Sequence, residues 1–357
     1  MLTQLLSGDL PRSRILSTVL VAIVLGLLFA PFLFSGARPL NTAATICIYA
    51  VLVASYDLLL GYTGIVSFAH TMFYGIGAYG IGIALASVDE PTWGVALAGL
   101  GIALALTVVL ALVIGLFALR VRAIFYAMIT LAVAASFAVL ASQLSDLTGG
   151  EDGRTFGVPE LLSPGFSLLE NEVFGRAVDG RLLTYYIVFF GCALLFLFLL
   201  RLVNSPFGRV LQAIRENEFR AEALGYRTVV YRIWANVLAA VVAALAGALM
   251  ALWLRYVGPK TMLGFEVMTD ILLIVVIGGM GTMYGAVVGA TLFILAQNYL
   301  KELMGHASEL LSGVPMLAAA LHPDRWLLWL GVLFILSIYF FPIGIVGKLR
   351  LRRFLRG

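Results

Sequence analysis

Runs of about 20 apolar residues follow one another along almost the whole chain, and no other feature restricts its fold as much. A hydrocarbon core ~30 Å thick takes roughly 20 residues of helix, and backbone amides inside it find no water to bond. Each run must satisfy its own N–H and C=O groups as a helix or join a closed barrel. Barrel strands alternate apolar with polar residues, and the Leu, Ala, Val and Ile runs here do not. Composition agrees, with 62% of residues hydrophobic and 12% charged, about half the usual charged share. The reading is an all-α polytopic membrane protein in a lipid bilayer, with nothing in its net charge of +4 to suggest nucleic acid.

Ten spans can be marked out, at 15–34, 42–60, 66–86, 93–119, 123–143, 183–201, 232–254, 266–280, 283–302 and 326–346. Glycine interrupts 60–86 and 264–302, so eight or nine full crossings with re-entrant pieces also fit. The first run follows Arg12 and Arg14 but exceeds a signal-peptide core and lacks a small-residue cleavage site, so it reads as a retained span. Ten spans put both termini on one side. Assigning that side as cytoplasmic collects 15 of the 23 basic residues inside, including Arg120, Arg122, six arginines from Arg201 to Arg232 and the cations from Lys348 onward. Such a bias sets orientation. The chain then divides into a cytoplasmic tail 1–14, one transmembrane domain 15–347 and a basic cytoplasmic tail 348–357. The domain carries an acidic outer loop at 144–182 and a cytoplasmic segment at 202–231.

That cytoplasmic segment stands out from its apolar surroundings. Ser205 suits an N-cap, Pro206 the first helical position and Gly225 the left-handed residue after a helix. Between them, Val210, Leu211, Ile214, Ala221 and Leu224 fall near one face, with Arg215, Glu216, Glu218 and Glu222 elsewhere. The pattern predicts one capped amphipathic helix over 206–224. It can lie on lipid headgroups or dock a soluble partner; three acids fit an anionic leaflet poorly.

Glycine-rich apolar segments occur in both halves. The first holds Gly61, Gly64, Ser67 and His70, then Gly75, Gly77 and Gly80; the second holds Gly278, Gly279, Gly281, Gly285 and Gly289. Short, glycine-interrupted segments in both halves point to a transporter's solute path, whereas the plainer reading is close helix contact. Asp57, His70, Glu266 and Asp270 are ionisable groups within or at the ends of spans, where charge is expensive and such groups face protein or water. Asp57, Gly61, Gly64, Ser67, His70, Gly75, Gly77, Asp270, Gly278, Gly279 and Gly281 are therefore the pathway candidates. Cys47 and Cys192 lie in apolar runs without His or Cys neighbours at ligand spacing and read as small packing residues.

In this order these segments resemble the LivM-type permeases of the branched-chain amino-acid ABC importer family. The matching stretches are Tyr56 to Gly64, Ser67 to His70, Gly75 to Tyr79, Thr148 to Gly153, Ser205 to Arg209, Ala213 to Glu218, Glu222 to Gly225, Gly278 to Gly281 and Phe341 to Gly347. Two stretches depart from it: Arg154, Thr155 and Phe156 follow the Asp-Gly pair of the outer loop, and Leu300 to Arg325 is long. The resemblance implies a type II importer arrangement of ten helices, with Arg215, Glu216, Asn217, Glu218, Ala221, Glu222, Ala223, Leu224 and Gly225 coupling to an ATPase. It also implies a second LivH-like permease, two ATPase subunits that hold ATP and Mg, and a periplasmic solute-binding protein. Thr148, Gly149, Gly150, Asp152 and Gly153 would meet that binding protein. The expected role is a non-catalytic permease subunit in a bacterial inner membrane, for branched-chain amino acids or related small polar or organic-acid solutes.

No phosphate-binding Gly-x-x-x-x-Gly-Lys-Ser/Thr loop occurs, so ATP-driven action requires a partner and the chain itself needs no cofactor. A stand-alone secondary transporter or channel would need a coupling-ion site, for which four scattered ionisable residues give thin support. A membrane-embedded enzyme would need clustered carboxylates or histidines, and the spans carry none.

Overall fold

The computed structural model describes residues 14–34, 36–118, 123–163, 165–166, 179–310, 321–341 and 344–351. The tail 1–13, the cations Arg120 and Arg122, the loop stretch 167–178 and the tail 352–357 lie outside the described residues. The described chain is a body of helices: α1 (Arg14–Leu33), α2 (Ala37–Thr63), α3 (His70–Ala86), α4 (Trp93–Ala118), α5 (Ala123–Gln143), α6 (Gly180–Val203), α7 (Pro206–Glu216), α8 (Glu218–Ala223), α9 (Thr228–Leu254), α10 (Phe265–Gly278), α11 (Met283–Leu310), α12 (Trp326–Phe340) and α13 (Gly344–Leu351). Among the described residues nine stretches are long and apolar enough to cross a bilayer. The predicted span 66–86 is not one of them: helix starts only at His70, and α3 has 17 residues.

The core is inverted relative to a water-soluble domain only at its rim. α2 is almost entirely buried, and α9 runs against α2, α3 and α4. α1, α4, the first half of α5 (Ile124 to Leu131) and α12 present Leu, Ile, Val and Phe outward, as lipid-facing helices do. Small residues let the inner helices approach. A Cβ on Gly77 would overlap the carbonyl of Ala244, and one on Gly247 the carbonyl of Tyr74, so α3 and α9 meet backbone to backbone. Cys47 and Cys192 are buried and free within this core.

Several expectations change in detail. The single helix expected over 206–224 is two helices, because Asn217 adopts an extended conformation (φ −160°, ψ 101°) and caps α8 by accepting from Arg220 N at 2.9 Å. Leu224, expected near the apolar face of that helix, is 72% exposed as the residue after α8. The expected span 326–346 stops at Phe340 and helix resumes at Gly344 (φ 75°), which sits against Gly279 too closely for a side chain. β1 (Arg154–Thr155) pairs antiparallel with β2 (Tyr256–Val257), tying the loop that the sequence predicts to be outer to the end of α9.

Candidate functional site

The segment expected to couple to an ATPase forms as its caps require. Ser205 accepts from Gly208 N at 3.3 Å, Pro206 occupies the first turn, and Gly225 takes φ 92° after α8. Leu211, Ile214 and Ala221 are buried against the membrane body, while Glu216, Glu222 and Ala223 remain exposed. Glu218 is held by Arg232 at the base of α9 through two contacts of 2.5 and 3.0 Å. Glu222 accepts from the Thr228 hydroxyl at 2.8 Å. These contacts fasten α8 to the start of α9.

Arg215 at the end of α7 reaches the other way. Its guanidinium donates to the carbonyl of Gly61 near the end of α2. Next to that carbonyl the buried Asp57 carboxylate accepts from Gly281 N at 2.9 and 3.1 Å. Gly61 must lack a side chain here, because a Cβ would overlap Asp57 and Gly281. Gly281 (φ 79°) likewise admits the arginine by having none. One polar node thus joins the first glycine segment, the second glycine segment and α7. Gly64 (φ 73°) ends α2 with its N–H on Leu59 and faces the Arg215 stem.

Beyond Gly64 the chain stays non-helical to Ala69, and its polar groups are answered by other helices. Phe68 N donates to Thr130 Oγ1 of α5 at 3.0 Å. Ser67 Oγ accepts weakly from Ala69 N at 3.4 Å. His70 is buried, with Nε2 2.9 Å from Ser55 Oγ and 3.3 Å from the Leu52 carbonyl, and its ring lies edge-on to Tyr56. It links α3 to α2. Gly75 lies against Leu263, and Gly278 against the backbone of Gly285 in α11, both too closely for a side chain. Gly279 (φ 113°) caps α10. Asp270 is half-buried beside Gln297 of α11, whereas Glu266 is exposed.

Sequence reasoning missed Asn236. This side chain, buried in α9, donates to the Ala111 carbonyl of α4 at 2.9 Å and faces the Tyr126 hydroxyl of α5 at 3.4 Å. An amide inside an otherwise Ala- and Val-rich span was the available signal.

The outer-loop residues divide. Thr148 is buried and its hydroxyl serves the carbonyls of Ala141 and Leu144 at 2.6 and 2.7 Å. Gly149, Gly150 and Gly153 take φ of 84°, 65° and 71° and shape the turn; Asp152 is exposed, and its carbonyl accepts from the Tyr256 hydroxyl at 2.8 Å. Nearby, Arg255 donates to the Leu162 carbonyl at 2.6 Å; burial and the neighbouring Arg181 lower its pKa, with Asp179 acting against them.

A mainly helical body with interrupted, glycine-lined helices and, among the described residues, nine stretches long and apolar enough to cross a bilayer is that of a multi-pass membrane protein. The family described as "Branched-chain amino acid transport system / permease component" matches residues 38–320, most of the chain, and the protein belongs to it. It is 27% identical over 318 residues to the high-affinity branched-chain amino acid transport system permease protein LivM of Escherichia coli (strain K12), covering 85% of this chain and 73% of that one. A probable branched-chain amino acid transport permease protein LivM of Methanocaldococcus jannaschii is 29% identical over 165 residues, 46% of each chain. The permease protein LivH of Salmonella typhimurium is 25% identical over 253 residues, 70% of this chain and 80% of the relative. No solved structure matches.

Proposed function

We propose that this chain is a permease subunit of an ATP-driven importer for branched-chain amino acids, forming half of the solute path in a bacterial inner membrane with both termini cytosolic. In this reading it pairs with a LivH-like permease. Two ATPase subunits holding ATP and Mg drive the pair, and a periplasmic binding protein delivers the solute. The observation that carries the reading is the contact from Arg215 to Gly61 beside the Asp57–Gly281 hydrogen bonds. Displacing α7 and α8 would pull on the end of α2 and on the turn between α10 and α11 together. A motor bound at this surface helix then has a rigid linkage to both glycine segments. The largely exposed apolar side chains Phe219 of α8 and Leu224 just after it supply a docking surface outside the membrane. Ligands bias such a transition only by binding its states unequally, so tight selectivity can reside on the binding protein.

The test is uptake of L-leucine into proteoliposomes holding the chain with its partner subunits. Uptake should require ATP and should fail in Gly225→Pro, because proline fixes φ near −65° where this turn needs 92°. Equal uptake by the permease alone, without ATP, would instead make it a stand-alone transporter or channel.

A further inference from the structure

Two connections re-enter the membrane body and meet. On the outer side Gly82 of α3 lies against Val257 and Gly75 against Leu263. Seven residues of helix rise about 10 Å, so the chain from β2 to Leu263 descends by that depth along α3 before α10 begins. On the inner side Phe68 N bonds Thr130, seven residues and again about 10 Å into α5 from Ala123. The rings of Phe68 and Phe265 stack at 6.4 Å between these two stretches. The descending stretch holds the helical turn Pro259–Met262 and breaks only at Leu263 and Gly264 before α10, and helix breaks at such depth are tolerated only inside protein or along a water-filled cavity. Lys260, Thr261, Phe265 and Glu266 of the descending stretch and the start of α10 are exposed. Charged groups facing hydrocarbon cost ~2.5–3.5 kcal/mol or more each, so this face looks onto water or protein.

A cavity of about 390 Å³ opens there, lined by Val139, Ser142 and Gln143 of α5, Glu151 of the outer loop, and Pro259 and Lys260. Its size falls in the roughly 300–1,000 Å³ range of small-molecule sites. It offers one carboxylate, one ammonium, amide and hydroxyl groups, and an apolar wall. We propose that this cavity is the outer vestibule of the solute path and receives a zwitterionic amino acid, with Lys260 meeting its carboxylate, Glu151 its ammonium group and Val139 with Pro259 its apolar side chain. The proposal rests on the importer reading above and gives that path a location.

The test uses the complete importer in proteoliposomes with L-leucine as probe. Val139→Cys places a thiol on the exposed cavity wall, whereas the native Cys47 and Cys192 are buried. A membrane-impermeant maleimide should label it from outside several-fold more slowly with saturating L-leucine, because a ligand that fills the site covers the thiol. Isoamylamine and 4-methylpentanoate, each lacking one charge, should protect far less. Lys260→Met and Glu151→Gln should each remove leucine protection, read as the ratio of labelling with and without leucine within the same variant, since a charge beside the thiol also sets its unprotected rate. Unaltered labelling under leucine, in vesicles that accumulate leucine with ATP, would overturn the site. Vesicles whose parent importer accumulates no leucine would overturn the functional reading and this ligand with it.

Discussion

Asp57 shows how a single buried side chain sets the geometry of the site. It is 2% exposed and both carboxylate oxygens lie within reach of Gly281 N, 224 residues away in sequence. Replacing it by alanine strands a buried N–H, which costs about 1–3 kcal/mol, whereas asparagine keeps an acceptor oxygen. We expect Asp57→Ala to unfold at clearly lower temperature than Asp57→Asn in detergent, with Asn close to the parent; equal losses in both would mean that charge, and not the hydrogen bond, matters. The sequence marked Asp57 as unusual because charge is rare at that depth. Its partner was not legible: an N–H acceptor pair across two glycine segments depends on how α2 and α10 pack, which local pattern does not encode. Arg215 is a similar case, since its spacing read only as the polar face of a surface helix.

At the scale of elements, hydrophobic run length located the helices well, and the errors fall where helices break. α5 coincides with its expected span and α10 starts within a residue of its own, while α3 starts at His70, four residues late, behind non-helical backbone whose hydrogen bonds come partly from other elements, such as Thr130 for Phe68. The break at Asn217 had a local signal, an N-cap residue followed by a first-turn acid, within what looked like one helix. Glycine carries two different meanings along these helices. Gly247 touches the backbone of Tyr74, but Gly101 on α4 has open space beside it. Gly247→Ala should therefore separate α3 from α9 and destabilise by about 1–3 kcal/mol through overpacking. Gly101→Ala should be neutral or stabilise by about 0.5–1 kcal/mol, because alanine suits a helix better. Denaturation of both variants in mixed micelles by SDS would check the contrast, and matching midpoints would refute the close-contact account.

For the molecule as a whole, apolar surface is ordinary where lipid covers it and informative where it does not. Phe219 is 86% exposed and Leu224 72%, on a helix pair whose other outward groups include Glu216, Arg220 and Glu222. Two environments can accept that phenylalanine: lipid headgroups or a cleft on a soluble partner. The sequence left these equal, and the structure adds that α8 is anchored to α9 by Arg232–Glu218 and Thr228–Glu222, which holds Phe219 in a fixed direction. A fixed aromatic suits a protein pocket, where central anchors contribute ~2 kcal/mol or more, equivalent to about a 30-fold change in Kd. Phe219→Ser should weaken association with the ATPase subunits by that factor in a binding titration, and Phe219→Trp should retain most of it. Unchanged ATPase affinity together with weaker partitioning of an isolated 202–231 peptide onto anionic vesicles would assign the helix to the membrane surface. In that event the Arg215 linkage would connect the glycine segments to the bilayer instead of to a motor.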